Sequence, residues 1–144
     1  MKFSSKERYG LRALIDLALH SETETVSISS ISARQNISEA YLEQLVAKLK
    51  KAGLVVSSRG AQGGYKLAKP AEEISVGDVL RAVEGTLDAV NCPGAVGGVC
   101  QDSSLCVSKN VWKKINNSIV ETVDGIMLDT LVEESRAVRE KYQK

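Results

Sequence analysis

The chain has 144 residues, 43% hydrophobic and 26% charged, with 19 Lys+Arg against 18 Asp+Glu and a net charge of +1. That length admits one domain with its own core, or a small domain with an oligomerisation arm, and excludes two large independent domains. No run approaches the roughly 18 uninterrupted apolar residues of a membrane span, and the first residues show neither a signal-peptide apolar stretch nor a small-residue cleavage site. A cytoplasmic protein without membrane attachment is expected.

The near-neutral total hides an asymmetry. Residues 1–68 hold ten Lys+Arg against six Asp+Glu, whereas residues 69–144 hold nine against twelve, so the halves carry +4 and −3. An excess of four charges also arises by chance in a short window, so it needs support from the fold before it implies a nucleic-acid partner.

In chain order, Leu11, Leu14, Ile15 and Ala18 recur at i, i+3, i+4 and i+7 from Ser5 to about Leu19, with Ser4 or Ser5 available as a cap. This is an amphipathic helix. Ile28, Ile31 and Ala33 mark a short helix that should stop near Asn36, because asparagine tolerates the left-handed conformation. Ser38 then caps a helix with the stripe Leu42, Leu45, Val46 and Leu49, closed by Gly53. Two helices across the tight turn Asn36 to Ser38 form a helix-turn-helix. Leu54 to Ser58, rich in valine, and Tyr65 to Ala68 flank Arg59-Gly60-Ala61-Gln62-Gly63-Gly64 and read as a hairpin. The three glycines can simply serve turn geometry. The order helix, helix-turn-helix, hairpin is nevertheless that of a winged helix, in which the second helix of the pair enters the major groove and the hairpin lies on the backbone or minor groove.

Val76, Val79, Leu80 and Val83 give a further short helix ending at Gly85. Residues 91–107 carry all three cysteines, three glycines and a proline without any period. From Ser108, Val111, Trp112, Ile115, Ile119, Val123 and Ile126 return to helical spacing, followed by Leu128, Leu131 and Val132 in a second piece. This stripe has few apolar neighbours in its own chain to cover it, so it reads as a homodimer seam; packing of the last helix back on the same chain is the alternative. The expected fold is mostly α with a small β-hairpin wing: a winged helix-turn-helix over 1–85, a cysteine-bearing sensor loop over 86–107, and dimerisation helices over 108–144. No internal repeat or low-complexity tract is present.

On the recognition helix the exposed N-terminal face is Ser38, Glu39, Ala40, Tyr41, Glu43 and Gln44. Gln44 can pair with adenine, Glu43 can accept from the cytosine amino group, and Ser38 and Tyr41 can reach phosphate. Each type is also common as a plain solvated residue. Lys48, Lys50 and Lys51 suit both a helix C-terminus and a phosphate, and do not discriminate. Arg59, beside Gly60 at the root of the turn, is sharper, because a wing would present its guanidinium to the minor groove or a phosphate pair.

Cys92, Cys100 and Cys106 are separated by seven and five residues. An odd number of thiols gathered in one glycine-rich loop of a cytosolic chain does not suit a disulfide scaffold, and structural thiols are more often scattered through apolar helices. A metal centre fits better, although the spacing does not choose zinc over iron and sulfide. No nucleophile motif, Walker loop or carboxylate pair appears, and the lone His20 at the end of the first helix reads as a helix C-terminal charge. The chain is not expected to be an enzyme.

Several motifs resemble the IscR-type regulators, iron-sulfur relatives within a group of small bacterial winged-helix repressors that includes NsrR and CymR. They are Arg8-Tyr9-Gly10-Leu11-Arg12-Ala13-Leu14, Ile37-Ser38 with Tyr41-Leu42-Glu43-Gln44-Leu45, Gly53-Leu54-Val55, and Arg59-Gly60-Ala61-Gln62-Gly63-Gly64-Tyr65. The resemblance covers nearly the whole chain. It implies a homodimer that binds double-stranded operator DNA, as a repressor, and senses iron-sulfur or redox status through a cluster on Cys92, Cys100 and Cys106, with [2Fe-2S] favoured and [4Fe-4S] the alternative. Two departures stand out. IscR-type proteins commonly place a histidine ligand three residues after the last cysteine, where this chain has Lys109, and NsrR-type relatives use an acidic residue of the partner where this chain has Arg8, next to Glu7. Candidates for a fourth ligand are Glu7, Asp102, Asn110, a deprotonated Lys109 or a small external ligand. The alternatives are a cluster-free regulator of cysteine metabolism, similar to CymR and controlled by a protein partner, and, in another class, a small iron-sulfur electron carrier.

Overall fold

Ser4 opens the first helix with a capping box: its hydroxyl accepts from the Glu7 amide while the Glu7 carboxylate accepts from the Ser4 amide. A computed structural model describes residues 3–61, 63–88 and 105–142. Helix α1 (Ser5–His20) buries Leu14, Leu17 and Ala18. Helix α2 (Ile28–Gln35) starts at the Ser27 cap and ends on Asn36, whose φ of 56° is the only positive value at a non-glycine among the described residues. That left-handed residue turns the chain sharply enough for Ser38 to cap α3 (Glu39–Lys51) at once. The buried stripe of α3 is Leu42, Leu45, Val46 and Leu49, as its spacing predicts.

Strands β1 (Val55–Ser58) and β2 (Gly64–Leu67) pair antiparallel in the register Val55 with Leu67 through Ser58 with Gly64. Val26, just before α2, exchanges two 2.8 Å backbone hydrogen bonds with Tyr65 and so ties the hairpin root to the helix-turn-helix. A single 3-10 turn, Ala71–Glu73, leads to α4 (Val76–Glu84), which has its own capping box from Ser75 and Asp78 and closes at Gly85, φ 91°.

Helix α5 (Lys109–Asp124) is followed by α6 (Leu128–Tyr142). Ile126, expected to continue the α5 stripe, lies beyond the helix. Gly125 donates back to the carbonyls of Glu121 and Thr122, and an extended strap then pairs with the start of α4: Val76 N–H to Ile126 O and Leu128 N–H to Ile74 O, both 2.8 Å. The strap returns the chain to the main core. Leu128 and Val132 of α6 join Leu14, Leu17, Ile31, Leu42, Leu45, Leu49, Ile74 and Val79 in one buried cluster. The last helix thus packs on its own chain, the alternative left open by its sequence. A smaller cluster, Val76, Leu80, Leu87 and Val123, joins α4 to the C-terminal end of α5. The rest of α5 is different: Trp112, Ile115 and Ile119 are half-buried and Val111 is exposed. Among the described residues no helix is long and apolar enough to cross a membrane.

Candidate nucleic-acid interface and sensor site

Because the apolar stripe of α3 is fully consumed by the core, its opposite face is held outward by packing alone. Ser38, Ala40, Glu43 and Gln44 are exposed on it, and Tyr41 is half-buried. Ser38 does two jobs. Its hydroxyl accepts from the Tyr41 amide, fixing the first turn of α3, and it remains exposed at the helix N-terminus, where the positive end of the dipole favours a phosphate. The three lysines separate in space. Lys48 donates to the Val83 carbonyl at 3.2 Å, binding α3 to the last turn of α4, and Lys50 donates to Ser57 Oγ at 2.8 Å, binding α3 to the hairpin. Lys51 is exposed.

The hairpin tip explains its glycines. Gly60 has φ 104°, a left-handed value that favours glycine, and its carbonyl accepts from the Gly63 amide at 2.9 Å. A Cβ on Gly63 would stand 2.6 Å from the Ser58 carbonyl oxygen, so the backbone closes where a side chain cannot fit. Arg59 and Gly60 are exposed at the start of this turn, the place expected of a wing tip.

Beneath the helix-turn-helix lies a network that periodicity alone does not reveal. Asp16 is 2% exposed, and its carboxylate accepts from Arg34 Nη2 at 2.7 Å, from Arg34 Nε at 3.0 and 3.1 Å, and from Gln35 Nε2 at 2.9 Å. The hydrogen bond to Asp16 raises the Arg34 pKa above its already high value. One signal was available in the sequence: a carboxylate between Ile15 and Leu17, on the helix that carries the core stripe, has to find a cation when buried.

Of the three cysteines, Cys106 lies among the described residues, and Cys92, Cys100 and the candidate ligand Asp102 lie outside them. Cys106 sits just ahead of α5. Its sulfur is 3.1 Å from Ser108 Oγ, and its pKa is held below the usual thiol value first by that hydroxyl, then by the backbone amide of Lys109. A thiol poised toward thiolate is what a metal requires of a cysteine. Glu7 fits a ligand role badly, being 7% exposed with its carboxylate engaged by the Ser4 amide and hydroxyl at 3.1 and 3.2 Å. Asn110, in the first turn of α5, is exposed. Among the described residues no three His, Cys, Asp or Glu side chains gather at one point.

Helix, helix-turn-helix and glycine-tipped wing on one core define a winged-helix, DNA-binding transcription regulator rather than an enzyme. The chain belongs to the Rrf2 family of iron-dependent transcriptional regulators, whose pattern matches residues 3–134. It is similar to the HTH-type transcriptional regulator IscR of Vibrio vulnificus, 42% identical over 138 residues, which span 96% of this chain and 81% of that one. Two solved structures share the fold. CymR (YrzC), the global cysteine regulator of B. subtilis, has a TM-score of 0.79 and 37% identity over 93% of this chain and 98% of its own. IscR of T. potens has a TM-score of 0.76 and 44% identity over 94% of this chain and 88% of its own.

Proposed function

We propose that the chain acts as a homodimeric repressor whose grip on operator DNA is set by an iron-sulfur cluster on Cys92, Cys100 and Cys106, of the [2Fe-2S] type in preference to [4Fe-4S]. The observation that carries the reading is the match of residues 3–134 to a family of iron-dependent regulators, in a chain that places Cys106 immediately before α5 with its sulfur 3.1 Å from Ser108 Oγ. Thiolates are the natural donors for iron and sulfide. When bound, the cluster supplies an oxidisable group whose gain or loss is the signal. Glu7 is set aside as fourth ligand by its capping role, which leaves Asp102, Asn110, a deprotonated Lys109 or an external donor.

The chain's own residues then divide the work. Ser38 and Tyr41 hold phosphate, Glu43 and Gln44 read base edges beside the small Ala40, and Arg59 with Gly60 brings the wing onto the backbone or minor groove. The α5 face of Trp112, Ile115 and Ile119 pairs with a second copy, presenting two α3 helices to half-sites about 34 Å apart. A cytoplasmic setting, where thiols stay reduced, suits this chemistry. The test is anaerobic purification with absorption spectra, iron and sulfide assays, and gel-shift titration on both loaded and stripped protein. Visible bands with DNA affinity that differs between the two forms are expected.

A second reading has its own support. Likeness to the cysteine regulator CymR, together with Lys109 in place of a histidine, favours a cluster-free regulator of cysteine metabolism under control of a partner protein. Protein that stays colourless after anaerobic reconstitution, yet binds DNA, selects it.

A further inference from the structure

The stretch Arg8 to Leu14 of α1 is absorbed by neither the recognition helix nor the wing, yet its residues meet three other elements. A Cβ on Gly10 would lie 3.0 Å from Val83 Cγ1, so α1 and α4 approach closely there. Tyr9 meets Tyr41 of α3 edge to face, with ring centroids 6.0 Å apart and planes at 89°. Arg12 turns to α2. Its Nη2 donates to the Gln35 carbonyl at 2.6 Å and its Nε to Gln35 Oε1 at 3.3 Å, while its guanidinium carbon sits 5.3 Å from the Tyr9 ring centre.

Gln35 is the last residue of α2, directly before the left-handed Asn36 that turns the chain into α3. Its carbonyl is one of the helix-end acceptors left without a partner in the helix, at the negative end of the dipole, so a cation there is favoured. The Gln35 side chain is held at both ends, its oxygen by Arg12 and its nitrogen by the buried Asp16 carboxylate. The planar fork of Arg12 therefore joins the end of α2 to a tyrosine that touches the recognition helix. A lysine, with one compact ammonium, cannot bond both Gln35 oxygens and lie over the ring together.

We propose that Arg12 is a positioning residue for DNA readout: clamping the α2 end and the Tyr9 ring, it fixes where Ser38 and Tyr41 are presented, without touching DNA. The proposal rests on the reading of Ser38 and Tyr41 as DNA contacts. It makes Arg12, an exposed arginine in the basic half of the chain, part of the scaffold and not of the phosphate grip.

The experiment uses the full chain and a duplex selected by it from a random-sequence pool, with a scrambled duplex of equal length as reference. Affinities are normalised to the folded fraction by circular dichroism. For Arg12→Gln, affinity for the selected duplex should fall about tenfold while affinity for the scrambled duplex changes by less than about twofold, and the slope of log affinity against log salt should hold. Arg12→Lys should restore little of the loss. A parallel loss on both duplexes, with the salt slope reduced by about one, would make Arg12 a phosphate contact and overturn the proposal. So would full rescue by Arg12→Lys, or a loss that vanishes once the folded fraction is counted. Wild-type affinity in both Ser38→Ala and Tyr41→Ala would instead overturn the underlying reading, and the proposal with it.

Discussion

Helices α1 and α5 are each 16 residues long, and both carry an apolar stripe at helical spacing, but the chain treats them differently. Helix α1 begins in a full capping box and buries seven residues against α2, α3, β2, α4 and α6. Helix α5 begins without a side-chain cap and buries Asn116 and Val123, leaving Trp112, Ile115 and Ile119 half-covered. A stripe at the right period shows that something will cover it. Whether the cover comes from the same chain depends on how many other stripes are left to pair, and after α1, α3, α4 and α6 have closed one core, none among the described residues is left for the outer face of α5.

The largest effect is expected at the head of α5, where the site depends on groups beyond a packed core. Replacing any one of Cys92, Cys100 or Cys106 by alanine should abolish stable cluster binding, because two thiolates and a weak fourth donor are poor anchors. Iron and sulfide counts after anaerobic reconstitution should drop to background in a protein that remains folded and still binds DNA with altered affinity. Survival of the cluster in all three variants would break the sensor reading. Next comes the seam itself. Ile115→Glu places a charge in a half-covered face that joins neither buried cluster among the described residues, so it should yield folded monomers in analytical ultracentrifugation, whereas persistence of a full dimer would put the seam elsewhere.

The same comparison predicts the opposite behaviour for α1. Leu14 is 0% exposed, so Leu14→Ala should cost about 3 kcal/mol of folding free energy through lost burial and the cavity left behind. Chemical denaturation of the monomeric Ile115→Glu background separates this cost from any effect on assembly. A loss under about 1 kcal/mol would mean that α1 is no better covered than α5.

How much of this was legible in the sequence follows the same division. The helix starts at Ser4 and Ser38, the left-handed Asn36 and the stop at Gly53 are local chemistry, and the structure places them where the residue types predict. The fold of the DNA-reading part rests on such signals. The bridge of Val26 to Tyr65, the Asp16 to Arg34 pair and the Ile126 strap join residues 39, 18 and about 50 positions apart, and no local period encodes them. For the cysteines, residue type and clustering suggest a centre, but convergence of three thiolates is a property of tertiary placement, and the fourth donor has no spacing rule once Lys109 replaces histidine.

Smaller effects test the exposed groups. Arg59→Ala removes a guanidinium from the wing tip without touching the core, so operator affinity should fall by about 1 to 3 kcal/mol with the thermal midpoint unchanged. Wild-type affinity in a gel-shift titration at fixed salt would take the wing out of the interface.

The smallest effect is expected for Lys109→Ala. A protonated ammonium has no lone pair to offer iron, so a lysine side chain is a poor donor beside the thiolates. Its backbone, by contrast, is useful as it stands: the Lys109 amide contributes more than the lysine charge to lowering the Cys106 pKa, and the Ser108 hydroxyl contributes more than either. Alanine keeps the amide and the start of α5. Iron and sulfide per chain, and the visible absorption of the anaerobic protein, should therefore match wild type, while Lys109→His, which supplies an imidazole at the position where IscR-type proteins commonly have a histidine ligand, should slow loss of the bands in air. Bleaching of the cluster in Lys109→Ala would show that the lysine nitrogen ligates after all, and that the sensor is bound more tightly to the packed part of the molecule than the openness of α5 suggests.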